Sequence, residues 1–170
     1  MTVNTTAPLR IFHLQPGSGV RELAQLPSAP PAQGFYWLAC TRGALQEQLA
    51  SVQAALQAAA GLQLVDLHVS DLLNAQLPSR YDYTSQYDLL VLRRLASVAS
   101  AEAAPVPAQP QPRRSGPPVL RRIDTSPVGF ALFDQVLLSV HPGDCSVRDA
   151  YAARLLAAQP TDPRDGRASA

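Results

Sequence analysis

Two short apolar runs decide the fold class, and they lie in residues 128–141, which read VGFALFDQVLLSVH. Val128 to Phe133 and Val136 to Val140 are each long enough for a strand, and only Asp134-Gln135 separates them. Two such runs joined by so short a polar connection predict a β-hairpin. Because a hairpin pairs its strands antiparallel, any sheet that contains this one has at least one antiparallel pair.

Further strands are predicted upstream of this hairpin, at Leu9 to Leu14, Gly34 to Cys40 and Gln86 to Leu95. The last of them places Leu89 and Val91 on one face and Leu90 and Leu92 on the other. An apolar pattern on both faces predicts a central strand that is covered by helices on each side. Gly17-Ser18-Gly19 is predicted to form a turn between the first two strands.

Helices are predicted between the strands. Leu45, Leu49, Val52 and Leu56 recur at helical spacing and predict one helix, which Gly61 ends. A second helix is predicted from Leu67 to Asn74, with Asp66 as its N-cap and Pro78 as a stop, and a third extends from Ser146 to Ala158. The alternation predicts an α/β fold, a layered α/β/α domain with a mixed parallel and antiparallel sheet.

The domain is expected to cover residues 1–158. Within it, residues 99–118 are rich in proline and are expected to form a mobile loop that folding does not need. Residues 159–170 are expected to be a disordered tail that leads to a stalk and a membrane region outside this chain.

Composition excludes several classes of function. The net charge of +1 offers no electrostatic basis for binding nucleic acid. Cys40 and Cys145 lie far apart, so neither a disulfide framework nor a CxxC metal site is expected, and a reducing compartment is favoured. No run approaches the roughly 18 apolar residues that span a bilayer, so the fragment is expected to be soluble.

No motif indicates catalysis. The sequence contains no nucleophile and base at a recognisable spacing and no glycine-rich loop that opens a helix, so the chain is not expected to be an enzyme. The histidines, His13, His68 and His141, lack the spacing of a zinc site and are expected to be structural. A small α/β enzyme and a stand-alone interaction module stay open as alternatives.

A resemblance to a known family extends over roughly residues 34–158. The segments HVSDLLN at 68–74, YDY at 81–83 and YDLLVL at 87–92 resemble the cytoplasmic N-terminal domain of CorA-type (CorA/ZntB) divalent-cation transporters. The hairpin and the helix from Arg148 to Leu155 follow in the order typical of that family. Ser70 stands where a second carboxylate is common, and the Gly-Met-Asn pore signature is absent from this sequence.

The resemblance implies a soluble regulatory and assembly domain of a magnesium or cobalt channel, with a zinc-transporting ZntB-type protein as the alternative. It implies a homopentamer at the cytoplasmic face of the inner or plasma membrane, reached only through C-terminal helices outside this chain. It also implies that Mg²⁺, or Co²⁺ or Zn²⁺, binds weakly at subunit interfaces through Asp71 and Asp149. Asp71 is expected to favour the closed channel when it binds a cation there.

Overall fold

A seven-stranded sheet runs through the part of the chain that the computed structural model describes, residues 7–95, 125–143 and 145–158. The predicted mobile loop at 99–118 and the predicted tail at 159–170 lie outside these residues. The strands are β1 (Leu9–Gln15), β2 (Gly19–Leu23), β3 (Phe35–Thr41), β4 (Arg80–Tyr83), β5 (Asp88–Leu95), β6 (Thr125–Leu132) and β7 (Val136–His141). The helices are α1 (Arg42–Glu47), α2 (Leu49–Ala60), α3 (Asp66–Leu73) and α4 (Ser146–Ala157).

The sheet is mixed, as predicted. Its strand order is β2-β1-β3-β7-β6-β5-β4. The central strands β3 and β7 pair in parallel, with Leu38 opposite Leu138. The other neighbouring strands pair antiparallel, including the predicted hairpin of β6 and β7. The predicted α/β class is therefore confirmed.

Helices pack on both faces of this sheet. Leu38 and Cys40 on β3 are fully buried in a large core beneath α1, α2 and α3. Trp37 and Ala39 alternate with them and face a smaller core, in which Ala152 of α4 packs. Successive side chains of a strand point to opposite faces, so one strand serves both layers. The result is the α/β/α layering that the sequence predicts.

The second face is only partly covered by the described residues. Leu89 and Val91 of β5 are buried, as predicted, but Leu92 on the opposite face is 47% exposed. The cause is the position of α4, whose buried neighbours belong mainly to β1 and β3. The prediction that helices cover β5 on both sides is wrong for this face among the described residues.

Two edge strands were not predicted. Strand β2 reads GVREL and strand β4 reads RYDY, and neither contains an apolar run. Edge strands commonly carry charged side chains, so their pattern differs little from that of a loop. These segments become strands through their hydrogen bonds to neighbouring strands, since β2 pairs with β1 and β4 pairs with β5.

The helix boundaries also differ from the predicted ones. The single predicted helix before Gly61 is two helices, with a break at Gln48, where φ is −115°. Gly61 ends α2 in the left-handed conformation, as predicted. Helix α3 begins at Asp66, and the extended Val65 occupies the N-cap position without a side-chain hydrogen bond. Asp66 therefore lies in the first turn instead of capping it. Of the helices that the structure describes, none is long and apolar enough to cross a membrane.

Candidate functional site

A polar network ties α3 to the edge of the sheet and includes Asp71, the first predicted cation ligand. Nη1 of Arg80 donates to Oδ2 of Asp71 at 2.9 Å, and Nη2 of Arg80 donates to Oδ2 of Asp82 at 3.0 Å. Asp71 is only 8% exposed. Its carboxylate is therefore already paired with a cation from its own chain, and the pair joins α3 to β4.

His68 extends the network inward. Its Nε2 lies 3.1 Å from Oδ2 of Asp82, and its Nδ1 lies 2.8 Å from the hydroxyl of Tyr87. That hydroxyl accepts from the backbone N–H of Val65 at 3.0 Å, so its own hydrogen is available to Nδ1. In the neutral imidazole with this arrangement, the ring hydrogen is on Nε2 and is donated to Asp82. Such a satisfied arrangement fits the structural role expected for His68, and burial raises the pKa of Tyr87.

Asp149, the second predicted cation ligand, lies between two buried guanidinium groups. Its Oδ1 accepts from Nε of Arg148 at 2.9 Å, lies 2.8 Å from Nη2 of the same guanidinium, and lies 3.7 Å from Nη1 of Arg10. Arg148 is 4% exposed and Arg10 is 2% exposed. Arg10 is also held by Glu22, through bonds of 2.8 and 3.0 Å. The negative charge of Asp149 thus balances the guanidinium groups of Arg10 and Arg148, which are both buried away from water.

The structure does not bring the two predicted ligands together. Asp71 is on α3, which packs in the large core on one face of the sheet, and Asp149 is on α4, which packs on the other face. Among the described residues, no group of three or more His, Cys, Asp or Glu side chains is placed to hold a metal ion. A hard cation bound at either carboxylate would need most of its oxygen ligands from water or from another subunit.

An apolar groove occupies the uncovered part of the second face. Its volume is about 410 Å³, within the range of about 300–1,000 Å³ that small-molecule pockets occupy. We call it the sheet-face groove. Its wall is aromatic and aliphatic, and its polar side chains are Arg94, His141, Cys145 and Arg148. The apolar lining consists of Leu14, Phe35, Trp37, Leu92, Val128, Phe130, Leu137, Val147, Tyr151 and Leu155.

A chain of hydrogen bonds runs along the groove-facing side of β7, where Ser139 lies between Leu137 and His141. Nε1 of Trp37 donates to Oγ of Ser139 at 2.7 Å, and Oγ of Ser139 lies 2.8 Å from Nε2 of His141. Nδ1 of His141 lies 3.3 Å from Sγ of Cys145. Sequence reasoning missed this set because Cys145 follows the strand in a loop, and no spacing marks it as a partner of His141.

The imidazole of His141 is kept neutral. Burial is the largest cause, and together with the positive charges of Arg148, Arg94 and Arg42 it lowers the pKa of His141 to about 4. The side chain is 5% exposed, so water does little to stabilise the charged form. His141 is therefore an uncharged link in the chain of hydrogen bonds at neutral pH.

We expect His141 to make the protein less stable in mild acid. The unfolded chain takes up this proton near its usual pKa of 6.5, whereas the folded chain resists it until about pH 4. Between these values the unfolded state binds more protons, so the free energy of unfolding falls as pH falls, by about 2 kcal/mol from about pH 7 to about pH 5. Urea unfolding of the wild type and of His141→Gln at both pH values measures this component. Equal pH dependence in the two proteins would contradict it.

Comparisons with known proteins bear on the fold. No protein-family model matches the chain, and no curated protein matches it in sequence. Among solved structures, the chain is similar to the soluble domain of CorA from Methanocaldococcus jannaschii, with a TM-score of 0.53 and 13% identity over 95% of this chain and 50% of that one. It is also similar to the ZntB cytoplasmic domain from Vibrio parahaemolyticus, with a TM-score of 0.53 and 12% identity over 89% of this chain and 50% of that one.

A third similar structure is the full-length CmaX protein, with a TM-score of 0.53 and 16% identity over 89% of this chain and 39% of that one. The chain therefore spans half or less of the length of these proteins. At such low identity the likeness concerns the fold. The α/β/α domain described above has the fold of the soluble domains of CorA and ZntB.

Proposed function

We propose that this chain is the soluble domain of a divalent-cation channel or transporter of the CorA/ZntB type, in which it serves regulation and assembly. The observation that supports this most directly is the likeness of fold, which extends over 95% of the chain for CorA and 89% for ZntB. The resemblance of residues 68–92 to the CorA helix and strand is a second support. We expect no catalytic turnover, and a location at the cytoplasmic face of the membrane.

The proposed regulatory ligand is Mg²⁺, with Co²⁺ or Zn²⁺ as alternatives, bound between the subunits of a homopentamer. Asp71 and Asp149 are the proposed ligands. Each carboxylate already contacts a guanidinium group of its own chain, so an incoming cation has to compete with Arg80 or Arg148. Competition of this kind weakens binding and suits a sensor that responds to changes in cytoplasmic cation.

Weak cation sites are sufficient to close the channel if all of them act together. Five equivalent sites that each favour the closed state by about 1 kcal/mol approach the roughly 5.5 kcal/mol that moves a two-state equilibrium from 1:99 to 99:1. A carboxylate from a neighbouring subunit would complete each site, because Ser70 cannot supply a second charge beside Asp71. Because Asp71 lies on α3, we expect the regulatory contact between subunits to involve this helix.

The test is cation flux through the full-length protein that contains this chain, measured as internal Mg²⁺ is raised. We expect Asp71→Asn to weaken inhibition by Mg²⁺, because an amide can still accept from Arg80 but is a poorer ligand for a hard cation. Asp82→Asn is the matched control, since Asp82 contacts the same guanidinium from strand β4. We expect it to leave inhibition unchanged.

The outcomes separate the proposed ligand from the proposed function. Equal effects of the two variants would assign Asp71 to holding Arg80, and unchanged inhibition in Asp71→Asn would exclude it as a ligand. A full-length protein that carries no divalent-cation flux in any variant would contradict the function itself.

A further inference from the structure

His68 and the proposed cation ligand Asp71 are neighbours on helix α3. They are three positions apart, a spacing that places two side chains next to each other on one face of a helix. His68 is 2% exposed and Asp71 is 8% exposed, so charges on them interact more strongly than they would in water. Histidine is the side chain that changes charge near neutral pH. A proton on His68 would therefore be felt at Asp71.

Hydrogen bonds also connect the two residues, through a shared oxygen of Asp82. This oxygen, Oδ2, lies 3.1 Å from Nε2 of His68 and accepts from Nη2 of Arg80 at 3.0 Å. The same guanidinium donates from Nη1 to Oδ2 of Asp71 at 2.9 Å. His68 and Arg80 thus compete for one acceptor, and Arg80 divides its donors between the two carboxylates.

The charged and titratable groups around His68 come from three elements. Arg80 and Asp82 are on β4, Tyr87 directly precedes β5, and Asp71 is on α3 itself. Helix α1 and strand β6 also pack on α3, but no hydrogen bond or ion pair joins either of them to His68 in the described structure. Two carboxylates and one guanidinium leave this network with one negative charge while His68 is neutral.

A proton on His68 changes the hydrogen bonds on both sides of its ring. Both ring nitrogens then donate, so Nδ1 donates to the hydroxyl oxygen of Tyr87, which already accepts from the backbone N–H of Val65. On the other side, the bond from Nε2 to Asp82 becomes charge-assisted and therefore stronger. The proton thus increases the share of Oδ2 of Asp82 that His68 takes.

Both consequences oppose a cation at Asp71. A smaller share of Asp82 leaves Arg80 held more by Asp71, where it competes with an incoming cation. The charged imidazole also repels a divalent cation directly. We propose that His68 is a proton sensor for the cation site, and that its protonation weakens cation binding at Asp71. The inference rests on the proposed function and concerns the regulation of that same site.

The experiment measures cation flux through the full-length protein that contains this chain, and determines the internal Mg²⁺ concentration that halves the flux at two pH values. We expect the wild type to need about fivefold or more Mg²⁺ at about pH 6 than at about pH 8, which is the low end of the usual range for coupled sites. We expect His68→Gln to need the lower concentration at both pH values, because an amide does not gain a proton in this range.

Two control variants test the route. His13→Gln replaces another buried histidine, which lies on β1 and contacts Arg21 and Gln33, and it is expected to keep the pH dependence of the wild type. Asp82→Asn changes a side chain that is 35% exposed and keeps an acceptor for Arg80. We expect it to be inhibited normally at the higher pH but to lose most of the pH dependence, because an amide does not favour a charged imidazole as a carboxylate does.

Three results would overturn the proposal. They are equal half-inhibiting concentrations of the wild type at the two pH values, a pH dependence in His68→Gln equal to that of the wild type, and a pH dependence that persists in Asp71→Asn. Circular dichroism at both pH values identifies any variant that unfolds. If His68→Gln does not fold, the wild type and Asp82→Asn decide the matter. Inhibition by Mg²⁺ that does not vary with pH contradicts the proton sensor alone, whereas the absence of divalent-cation flux contradicts the proposed function as well.

Discussion

Replacing Gly34 with alanine is expected to remove most of the stability of the fold. Gly34 precedes β3 with φ of +76°, and a Cβ at this position would lie 1.8 Å from the carbonyl oxygen of Leu14 and 2.9 Å from its carbonyl carbon. Both are backbone atoms of β1, so they cannot rotate away. Leu14 pairs with Phe35 in the register between these strands, and the strands would have to separate. We expect a loss of about 4 kcal/mol or more, which is exceptional for one methyl group.

Gly17→Ala is the matched control for this prediction. Gly17 also has a positive φ, of +74°, but no atom lies within 4 Å of the position that its Cβ would occupy. The variant carries the cost of the left-handed conformation alone, about 1 kcal/mol. Urea unfolding followed by circular dichroism measures both proteins. Similar losses in the two would contradict the clash and would leave only backbone strain.

Replacing Asp149 with alanine is expected to cost about 3–5 kcal/mol, which is typical when one partner of a buried ion pair is removed. The carboxylate contacts Arg148 and lies close to Arg10, and both guanidinium groups are buried. Arg10 keeps Glu22 as a partner, but the described structure offers Arg148 no other carboxylate. The uncompensated charge would pull the start of α4 away from the sheet. The free energy of unfolding, measured in urea, checks the size of the loss.

Two further variants separate the contribution of the ion pair from that of the helix dipole. Asp66 and Asp149 both lie in the first turn of a helix, α3 and α4 respectively, but Asp66 is exposed. Asp66→Ala therefore tests the helix-dipole effect alone, which is about 0.3–1 kcal/mol. Asp149→Asn keeps an acceptor without the charge and is expected to fall between the two. If Asp149→Ala costs no more than Asp66→Ala, the buried ion pair does not hold α4 in place.

The apolar strands and the strong helices could be predicted because their patterns are local. The runs at 128–141 indicate a hairpin by themselves, and the recurrence of Leu49, Val52 and Leu56 indicates helix α2, because burial on one side requires that spacing. Strands β2 and β4 could not be predicted in this way. Their residues acquire a strand conformation from hydrogen bonds to β1 and β5, which are partners that no local pattern reveals.

The prediction of Asp71 and Asp149 as cation ligands was limited in the same way, because their contacts are not visible in the sequence. Asp71 and Asp149 could be selected from a resemblance, but the sequence does not show that Arg80 and Arg148 hold their carboxylates. Arg148 is adjacent to Asp149 in the chain, yet its importance lies in its burial, which depends on how α4 packs. The distance between Arg80 and Asp71 depends on the pairing of β4 with β5, which brings the edge strand under α3.

The sequence by itself determined the α/β class, the hairpin, the mixed sheet and the layering, because each follows from the period of apolar residues along short segments. Only the tertiary structure decided which faces those layers cover. Leu92 has the pattern of a buried residue but is 47% exposed, since α4 packs mainly over β1 and β3. The groove that this leaves, and the meeting of Trp37, Ser139, His141 and Cys145 beside it, arise from the parallel pairing of β3 with β7 and from the turn into α4. Contacts between residues about a hundred positions apart have no period in sequence, so the folded chain alone brings them together.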